Sequence, residues 1–167
     1  MTPERLPAVA FDLRRLIATL HEHDVDYTVI GGVAVQVHGH RRTTKDLDLV
    51  PSPDRENLEH LAAALAALSA RPRDVPGGSP DADQLVAAPI VPPLTTDHGE
   101  LHILRDVPGA PAYAELRARA VVIDLDGIAI AIAGLDDLIS MKRASGRAVD
   151  ERDIAALTAG AGEPGDP

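Results

Sequence analysis

The stretch that decides the fold is Tyr27–Val50, with the sequence YTVIGGVAVQVHGHRRTTKDLDLV. It predicts a short strand over Tyr27–Ile30, which ends at a pair of glycines. Residues Val33–His38 predict a short helix that opens on the glycine pair. The alternating residues Asp46–Val50 predict a second strand. Two strands joined through a glycine turn and a short helix favour a mixed α/β or α+β domain.

The second strand carries two carboxylates, Asp46 and Asp48, which alternate with leucines. Because side chains along a strand point alternately to its two faces, both carboxylates lie on one face, roughly 6.5–7 Å apart. Paired carboxylates can share one or two divalent cations, and their oxygens are the ligands that Mg²⁺ prefers. An Asp-x-Asp pair alone is as often a solvated face. Its combination with the glycine pair is what favours a functional site.

Gly31 and Gly32 allow the backbone to turn sharply and to approach a ligand closely. A helix that begins there directs its free N–H groups and the positive end of its dipole toward an anion. The sequence therefore predicts that one element holds phosphates and the next holds the metal that neutralises them. Arg41, Arg42 and Lys45 lie between the two elements and could add positive charge.

Working outward, hydrophobic spacing predicts the other elements. The expected helices are about residues 4–23, a helix of about fifteen residues that follows the start signal Ser52-Pro53-Asp54, and Pro111–Ala118, Leu135–Arg143 and Val149–Thr158. The expected strands are Glu100–Arg105, Val121–Leu125 and Ile128–Ile132. The last two strands are joined by a turn at Asp126-Gly127. Residues 71–93 predict only a short strand or helical turn around residues 84–88. We expect one domain, residues 1–159, with a small mixed sheet flanked by helices and with C-terminal helices beside the sheet, followed by a flexible tail, residues 160–167.

The composition excludes several classes of protein. The chain has 167 residues, a net charge of −10 and no cysteine, which excludes disulfides, thiolate metal sites and thiol nucleophiles. A strongly acidic protein repels polyanions, so general DNA binding is not expected. No apolar run approaches the ~20 residues that cross a bilayer. No signal peptide opens the chain, and we expect a cytoplasmic protein without membrane association.

Lys142 shares one face of its predicted helix with Leu135, Leu138 and Ile139. A lysine on a buried face is costly unless a negative group meets it. A triphosphate in an adjacent cleft would provide that group. Alternatively, a lysine near a helix C-terminus is favoured by the helix dipole and can extend its ammonium to water. Both interpretations stay open.

Other polar groups favour structural interpretations. Asp150 and Asp153 share a face of the last predicted helix, near several arginines, and ion pairing between two helices is the favoured interpretation. Two His-x-His pairs lack a third ligand and are typical of solvated or capping histidines: His21/His23 and His38/His40.

Taken together, the motifs are similar to those of the polymerase-β-type nucleotidyltransferase superfamily, and within it to the small bacterial branch related to AbiE-type toxins and the minimal nucleotidyltransferases. The motifs that carry the resemblance are Gly31-Gly32, Arg42-x-Thr44-x-Asp46-x-Asp48, Leu138-Ile139-x-x-Lys142 and Arg147-x-x-Asp150. The resemblance covers most of residues 10–158 and implies a small mixed sheet flanked by helices.

The resemblance implies an enzyme that uses a nucleoside triphosphate and Mg²⁺, or alternatively Mn²⁺, to transfer a nucleoside monophosphate to an acceptor hydroxyl. Asp46 and Asp48 would bind the metal and act in catalysis. The implied nucleotide-binding residues are Gly31, Gly32, Arg42, Thr44 and Lys142. Few residues are needed, because this chemistry consists mostly of positioning and charge neutralisation.

The sequence departs from the superfamily at one position. The superfamily usually has a third acid on a neighbouring strand, and the matching position here is His102. A neutral imidazole can act as a base or bind a softer metal such as Mn²⁺, but it does not supply the negative charge that Mg²⁺ prefers. Glu100, two residues earlier on the same strand face, could substitute as a metal ligand. We therefore expect a catalytic role for His102 and a metal-binding role for Glu100.

Three functions stay open. The first is an active nucleotidyltransferase, for instance the toxin of a toxin–antitoxin pair that modifies tRNA or a protein; an RNA acceptor would require a basic patch around Arg41, Arg42, Lys45 and Arg105. The second is a catalytically degenerate module that binds nucleotide or a partner protein, such as the antitoxin or regulator of a pair. The third is an antibiotic-modifying nucleotidyltransferase whose acceptor is a small molecule.

Overall fold

The structure, a computed structural model, describes residues 9–88 and 90–162, with side chains described up to residue 159. Its elements alternate between helix and strand up to about residue 96, and the described part of the chain ends in two helices. In chain order they are α1 (Leu13–Glu22), β1 (Tyr27–Ile30), α2 (Gly31–Val37), β2 (Asp46–Pro51), α3 (Arg55–Ala67), β3 (Arg71–Pro72), α4 (Ala82–Ala87), β4 (Leu94–Thr96), β5 (Gly99–Ile103), α5 (Tyr113–Ala118), β6 (Val121–Leu125), β7 (Ile128–Ile132), α6 (Leu135–Ser145) and α7 (Ala148–Gly162).

The strands form one mixed sheet in the order β3-β4-β5-β2-β1-β7-β6. Strand β1 pairs antiparallel with β2 and parallel with β7, and β2 pairs parallel with β5. The expected mixed sheet flanked by helices is therefore confirmed. The pairing of β2 with β5 matters most for function, since it joins the Asp-x-Asp strand to the strand that carries His102.

The central strands bury both of their faces. Along β2, Leu47 and Leu49 belong to the main core, together with leucines of α1 and α3. Val50 belongs to a smaller core cluster with Leu116 of α5 and Met141 of α6. Because strand side chains alternate between faces, Asp46 and Asp48 lie on the same face of β2 as Val50. That face is where the sheet leaves room for a cleft.

Several predicted boundaries differ from the structure. Helix α1 begins at Leu13, not near residue 4, because the side chain of Asp12 accepts a hydrogen bond from Arg15 N and caps the helix. Residues 9–12 are not helical, and residues 4–8 lie outside the described part. Helix α3 begins at Arg55 with Asp54 as its N-cap residue. The hydroxyl of Ser52, the first residue of the start signal, does not cap the helix but donates a hydrogen bond to Asp54 Oδ2 at 3.2 Å.

The Pro/Gly-rich stretch of residues 71–93 contains the two-residue strand β3 and the helix α4. The segment around residues 84–88 is helical, because Asp81 and Gln84 form a capping box that starts α4. Strand β4, which follows this stretch, was not expected from the sequence. It pairs antiparallel with β5 through Leu94–Thr96.

The C-terminal part follows the sequence closely. The hairpin β6–β7 has its predicted bounds, and Asp126 and Gly127 both have positive φ, 53° and 86°, as a two-residue hairpin turn requires. Helix α7 continues to Gly162, and residues 163–167 of the expected tail lie outside the described part. Among the residues described, no helix combines the length and the apolar character needed to cross a bilayer.

Candidate active site

The glycine pair and the Asp-x-Asp strand meet because β1 and β2 are antiparallel neighbours. Ile30, the last residue of β1, lies opposite Asp48. Gly31 follows with a φ of +68°, and a Cβ atom built on it would lie 1.9 Å from Asp48 Oδ2. Both the backbone conformation and the carboxylate next to it therefore require glycine at this position.

Gly32 contacts the loop that leads into β2. A Cβ atom at Gly32 would lie 2.8 Å from Thr44 Oγ1 and 3.1 Å from Arg42 Nη2. Thr44 Oγ1 donates a hydrogen bond to Asp46 O at 3.2 Å. The structure thus brings together the glycine pair, Arg42 and Thr44, which the sequence motif had grouped.

His102 lies beside the two aspartates because β5 runs parallel to β2. In this register Asp46 pairs with Glu100, and Asp48 pairs with His102. His102 Nδ1 is 2.8 Å from Asp48 Oδ1, and His102 Nε2 is 3.9 Å from Asp46 Oδ2. The sequence therefore located His102 correctly as the neighbour of the Asp-x-Asp pair. We call Asp46, Asp48 and His102 the strand-end cluster.

The strand-end cluster is electrostatically unbalanced. The hydrogen bond between His102 and Asp48 raises the pKa of His102 above its ordinary value, and this effect outweighs the lowering of that pKa by burial. Burial raises the pKa of Asp46, and the neighbouring charge of Asp48 raises it further. His102 Nε2 is buried and has no hydrogen-bond partner in the described structure. A cation among these groups would relieve the repulsion between the carboxylates and would give the imidazole nitrogen a partner.

The donor set fits a divalent metal ion. Each residue of the strand-end cluster offers one ligand atom, and these atoms all lie within 4.8 Å of one another. Two carboxylates and one imidazole form a mixed oxygen and nitrogen set, which suits Mn²⁺ better than it suits Mg²⁺.

Glu100 is not part of this group of donors. Arg73 Nη1 donates hydrogen bonds to both of its carboxylate oxygens, at 3.2 and 3.1 Å. Glu100 Oε2 also lies 3.6 Å from His102 Nε2, so the Glu100 carboxylate borders the strand-end cluster while remaining bound to Arg73. Arg73 was not predicted as a site neighbour, because residues 71–93 have no clear periodicity.

Lys142 meets carboxylates of its own chain. The residue is 6% exposed, and its Nζ lies 3.1 Å from Asp150 Oδ1 and 3.1 Å from Asp153 Oδ2. Both aspartates are 1% exposed and lie on α7. The salt-bridged helix pair is therefore the correct interpretation of Asp150 and Asp153. We call Lys142, Asp150 and Asp153 the helix cluster.

Arginines complete the helix cluster from two sides. Arg147 Nε donates to Asp150 Oδ2 at 2.8 Å. Burial alone would raise the pKa of Asp150, but the hydrogen bonds from Arg147, Ser145 and Lys142 outweigh it and hold this pKa well below its ordinary range. Asp153 Oδ1 lies 3.1 Å from Arg42 Nε. This ion pair between α7 and the loop before β2 was not predicted from the sequence. The sequence feature that could have indicated it is the pair of acids on one helix face shortly after a buried lysine.

One cleft, with a volume of about 630 Å³, joins the two clusters. Every site residue predicted from the sequence lines it except Glu100: Gly31, Gly32, Arg42, Thr44, Asp46, Asp48, His102 and Lys142. The cleft thus has acidic groups at the strand ends and the basic groups Arg42, Lys45 and Arg147 around them. This combination suits an anionic ligand that arrives with a metal ion.

Arg105 and the histidine pairs have partners within the fold, and His23 and His38 are the C-cap residues of α1 and α2, as the capping interpretation expects. Arg105 does not contribute to a basic patch at the cleft, because its guanidinium donates to the carbonyl oxygens of Leu85 and Val86 at the end of α4. The His-x-His pairs are bound separately: His23 Nδ1 contacts Thr19 O at 2.9 Å, and His38 Nε2 contacts Ala133 O at 2.8 Å.

Comparisons with known proteins agree with this architecture. The sequence profile of a family described as nucleotidyltransferase of unknown function (DUF6036) matches residues 4–159. Among solved structures, an antigenic nucleotidyltransferase-like protein from Paracoccidioides brasiliensis is similar, with a TM-score of 0.59, 20% identity and coverage of 92% of this chain and 76% of that chain. A candidate nucleotidyltransferase from Thermotoga maritima has a TM-score of 0.54 and 15% identity, with coverage of 88% and 90%. At these identities the similarity shows the fold. No curated protein matched the chain.

Proposed function

The chain belongs to this family of nucleotidyltransferases of unknown function, and we propose that it is a metal-dependent enzyme that transfers a nucleoside monophosphate from a nucleoside triphosphate to an acceptor hydroxyl. The acceptor hydroxyl would lose its proton to a base, its oxygen would form a bond to the α-phosphorus, the bond between the α-phosphorus and the oxygen that bridges to the β-phosphorus would break, and pyrophosphate would leave. The observation that carries the proposal is the strand-end cluster, three metal-ligand side chains held against a glycine turn inside a cleft with basic walls.

The metal would be held by Asp46 and Asp48, with His102 as the third ligand or as a base beside it. A divalent cation bound there would neutralise the charge that develops on the phosphoryl oxygens. The imidazole favours Mn²⁺ over Mg²⁺. In this proposal Glu100 is a neighbour held by Arg73 and not a ligand.

The triphosphate would bind between the glycine turn and the basic wall of the cleft. Gly31 and Gly32 leave the backbone open to close approach by phosphate oxygens. Arg42 can donate from its planar guanidinium, and Thr44 shapes the loop behind it. Lys142 lines the same cleft, but a phosphate there would share the ammonium with Asp150 and Asp153.

The acceptor class follows from charge. A net charge of −10 disfavours RNA, and Arg105, one of the four basic groups that an RNA site would need, is bound to α4. A protein side chain or a small molecule is therefore the favoured acceptor over tRNA. A toxin–antitoxin pair is one setting in which such an enzyme would act on a protein.

A second candidate function is a degenerate module that binds nucleotide without turnover. His102 favours it, because an imidazole hydrogen-bonded to Asp48 occupies the position of the third acid that the superfamily resemblance implies. The two candidates differ in turnover and not in binding, so a turnover measurement separates them.

The test is the transfer of label from each α-³²P nucleoside triphosphate, with Mg²⁺ and separately with Mn²⁺, into a mixture of cellular RNA, protein and small molecules. Wild type is compared with Asp46→Ala and with Asp136→Asn, a control at an exposed carboxylate on the first turn of α6. Label that requires Asp46 but not Asp136 supports the transferase and identifies the acceptor class. Absence of label in a protein that still binds triphosphate contradicts the transferase and supports the binding module.

A further inference from the structure

Asp153 is a buried carboxylate that links two elements bordering the cleft. It is 1% exposed. Its Oδ1 lies 3.1 Å from Arg42 Nε and 3.5 Å from His40 Nε2, and its Oδ2 lies 3.1 Å from Lys142 Nζ. One side chain of α7 therefore connects α6 with the loop that runs from α2 to β2.

Burying this carboxylate has a free-energy cost that an apolar residue would avoid. A buried ion pair seldom gains stability over a well-packed apolar group of similar volume. Elsewhere α7 contacts the core through apolar side chains such as Leu157. The charge of Asp153 is therefore better explained by what it orients than by stability alone.

What it orients is the guanidinium of Arg42. The Nε of Arg42 faces Asp153, whereas its Nη2 lies 3.1 Å from the position that a Gly32 Cβ would occupy. The main-chain oxygen of Arg42 accepts a hydrogen bond from Gln36 Nε2 at 2.5 Å. With its main-chain oxygen bound and its Nε ion-paired with Asp153, Arg42 places its Nη2 beside the glycine turn.

We propose that Asp153 is a positioning residue for the triphosphate: it holds the guanidinium of Arg42 across the Gly31-Gly32 turn, so that the affinity for phosphate depends on helix α7. This inference rests on the proposed function, since it assumes that the triphosphate lies against that turn. It adds a residue that touches neither the metal nor the substrate.

The sign of the effect separates positioning from simple electrostatics. Removing a carboxylate beside an anion site makes the local potential more positive, and on that ground alone phosphate should bind more tightly. Releasing Arg42 from its anchor should instead weaken binding, because the guanidinium must then be ordered when the phosphate arrives. A weaker affinity in Asp153→Asn is thus the outcome that only a positioning role gives.

The experiment measures the binding of inorganic tripolyphosphate, in the presence of Mg²⁺, by isothermal titration calorimetry with the full chain. Asp137→Asn is the control, because Asp137 is also buried and faces an arginine, Arg119, yet it does not line the cleft and does not contact Arg42. We expect Asp153→Asn to bind about 10-fold more weakly than wild type, as the loss of one ordered charge-assisted contact would give. We expect Asp137→Asn to bind as tightly as wild type. Mn²⁺ affinity, measured by electron paramagnetic resonance, should stay unchanged in both.

Two results would overturn the inference. If Asp153→Asn binds tripolyphosphate as tightly as Asp137→Asn, then Asp153 does not position Arg42. If it loses Mn²⁺ affinity in parallel, its role is only structural. If the wild-type protein binds no tripolyphosphate, both this inference and the proposed binding of a triphosphate are wrong. If wild type binds tripolyphosphate and Asp153→Asn binds it equally well, only this inference is wrong, so the two failures are distinguishable.

A second variant covers the case in which Asp153→Asn does not fold. Arg42→Lys keeps the positive charge at a partly exposed position, but a lysine ammonium has no planar fork to span Asp153 and the glycine turn. Unchanged binding of tripolyphosphate by Arg42→Lys contradicts the inference.

Discussion

The strand-end cluster and the helix cluster border the same cleft, but their charges are arranged in opposite ways. The strand-end cluster places two carboxylates next to each other at partly exposed positions and leaves His102 Nε2 without a partner. The helix cluster is almost completely buried, and each of its charges faces an opposite charge. The first arrangement is unfavourable until a ligand binds, whereas the second is balanced in charge within the chain, even though neither carboxylate oxygen of Asp153 has a hydrogen-bond partner in the described structure.

The difference teaches which charged groups to assign to function. Groups that bind a ligand are expected to be poorly satisfied by the protein itself, as in the strand-end cluster. Groups that are fully paired and buried instead contribute stability or position their neighbours. Substitutions in the first cluster should therefore affect activity and metal binding with little loss of stability, and substitutions in the second should affect stability first.

The largest effect is expected from Asp46→Asn. The variant should reduce the transfer rate about 1,000-fold or more, because the metal loses a charged ligand at the site of phosphoryl charge development. Its stability should be no lower than that of wild type, since burial and the Asp48 charge already raise the pKa of Asp46 and disfavour its charged form. Label transfer and urea denaturation measure the two quantities. A clear loss of stability would show that the strand-end cluster is structural and would remove the contrast between the clusters.

Lys142→Met should give the opposite pattern. It leaves two buried carboxylates short of a counter-charge, and the free energy of unfolding should fall by about 3–5 kcal/mol. The neighbouring Arg143→Met is the control: Arg143 is exposed on the same helix, and its substitution should change stability by about 0.5 kcal/mol or less. Urea denaturation of both variants is the measurement. A stable Lys142→Met variant that fails to bind tripolyphosphate would instead assign Lys142 to the triphosphate.

The sequence predicted the strand-end cluster better than the helix cluster for a physical reason. Strand alternation puts Asp46 and Asp48 on one face whatever the rest of the fold does, and local turn chemistry sets the hairpin at Asp126-Gly127. These patterns are local. The position of His102 came from the resemblance to the superfamily, which implies a third group on a neighbouring strand, and the pairing of β5 with β2 agrees with it.

The partners of Lys142 could not be assigned in the same way. Helical spacing showed that Lys142 is buried, but whether a phosphate or a carboxylate meets it depends on how α7 packs against α6. The same limit applies to Arg73 and Arg105, whose partners lie on other elements. In residues 71–93, α4 begins at a capping box and β3 pairs at the edge of the sheet. Both elements have too few residues for a hydrophobic periodicity to be detectable.

A smaller effect is expected at Gly31, which lies next to the strand-end cluster. Gly31→Ala and Gly146→Ala both place alanine at nearly the same backbone conformation, with φ of +68° and +67°. Each should lose about 1–2 kcal/mol of stability from that conformation alone. A Cβ atom at Gly31 would also displace Asp48, whereas the space around Gly146 is open within 4 Å.

Only Gly31→Ala should therefore weaken Mn²⁺ binding, and its loss of stability should exceed that of Gly146→Ala. Electron paramagnetic resonance of Mn²⁺ and urea denaturation of the two variants test this. Equal Mn²⁺ affinities in the two variants would mean that the Asp48 carboxylate does not need its position against the glycine turn.

The acid dependence of the helix cluster is an effect of similar size. Its hydrogen bonds hold the folded-state pKa of Asp150 below the ordinary value of 3.8. A lowered pKa stabilises the fold above the unfolded-state pKa, and this stabilisation is lost as the pH falls through the folded-state pKa. Asp150→Asn lacks the titrating group, so the free energy of unfolding of wild type should exceed that of the variant by about 2 kcal/mol near pH 7. This gap should narrow below about pH 4. Urea denaturation of both proteins across this range measures the gap. A gap that stays constant down to pH 2 would show that Asp150 gains no stability from its charge, and the helix cluster would then no longer be the satisfied counterpart of the strand-end cluster.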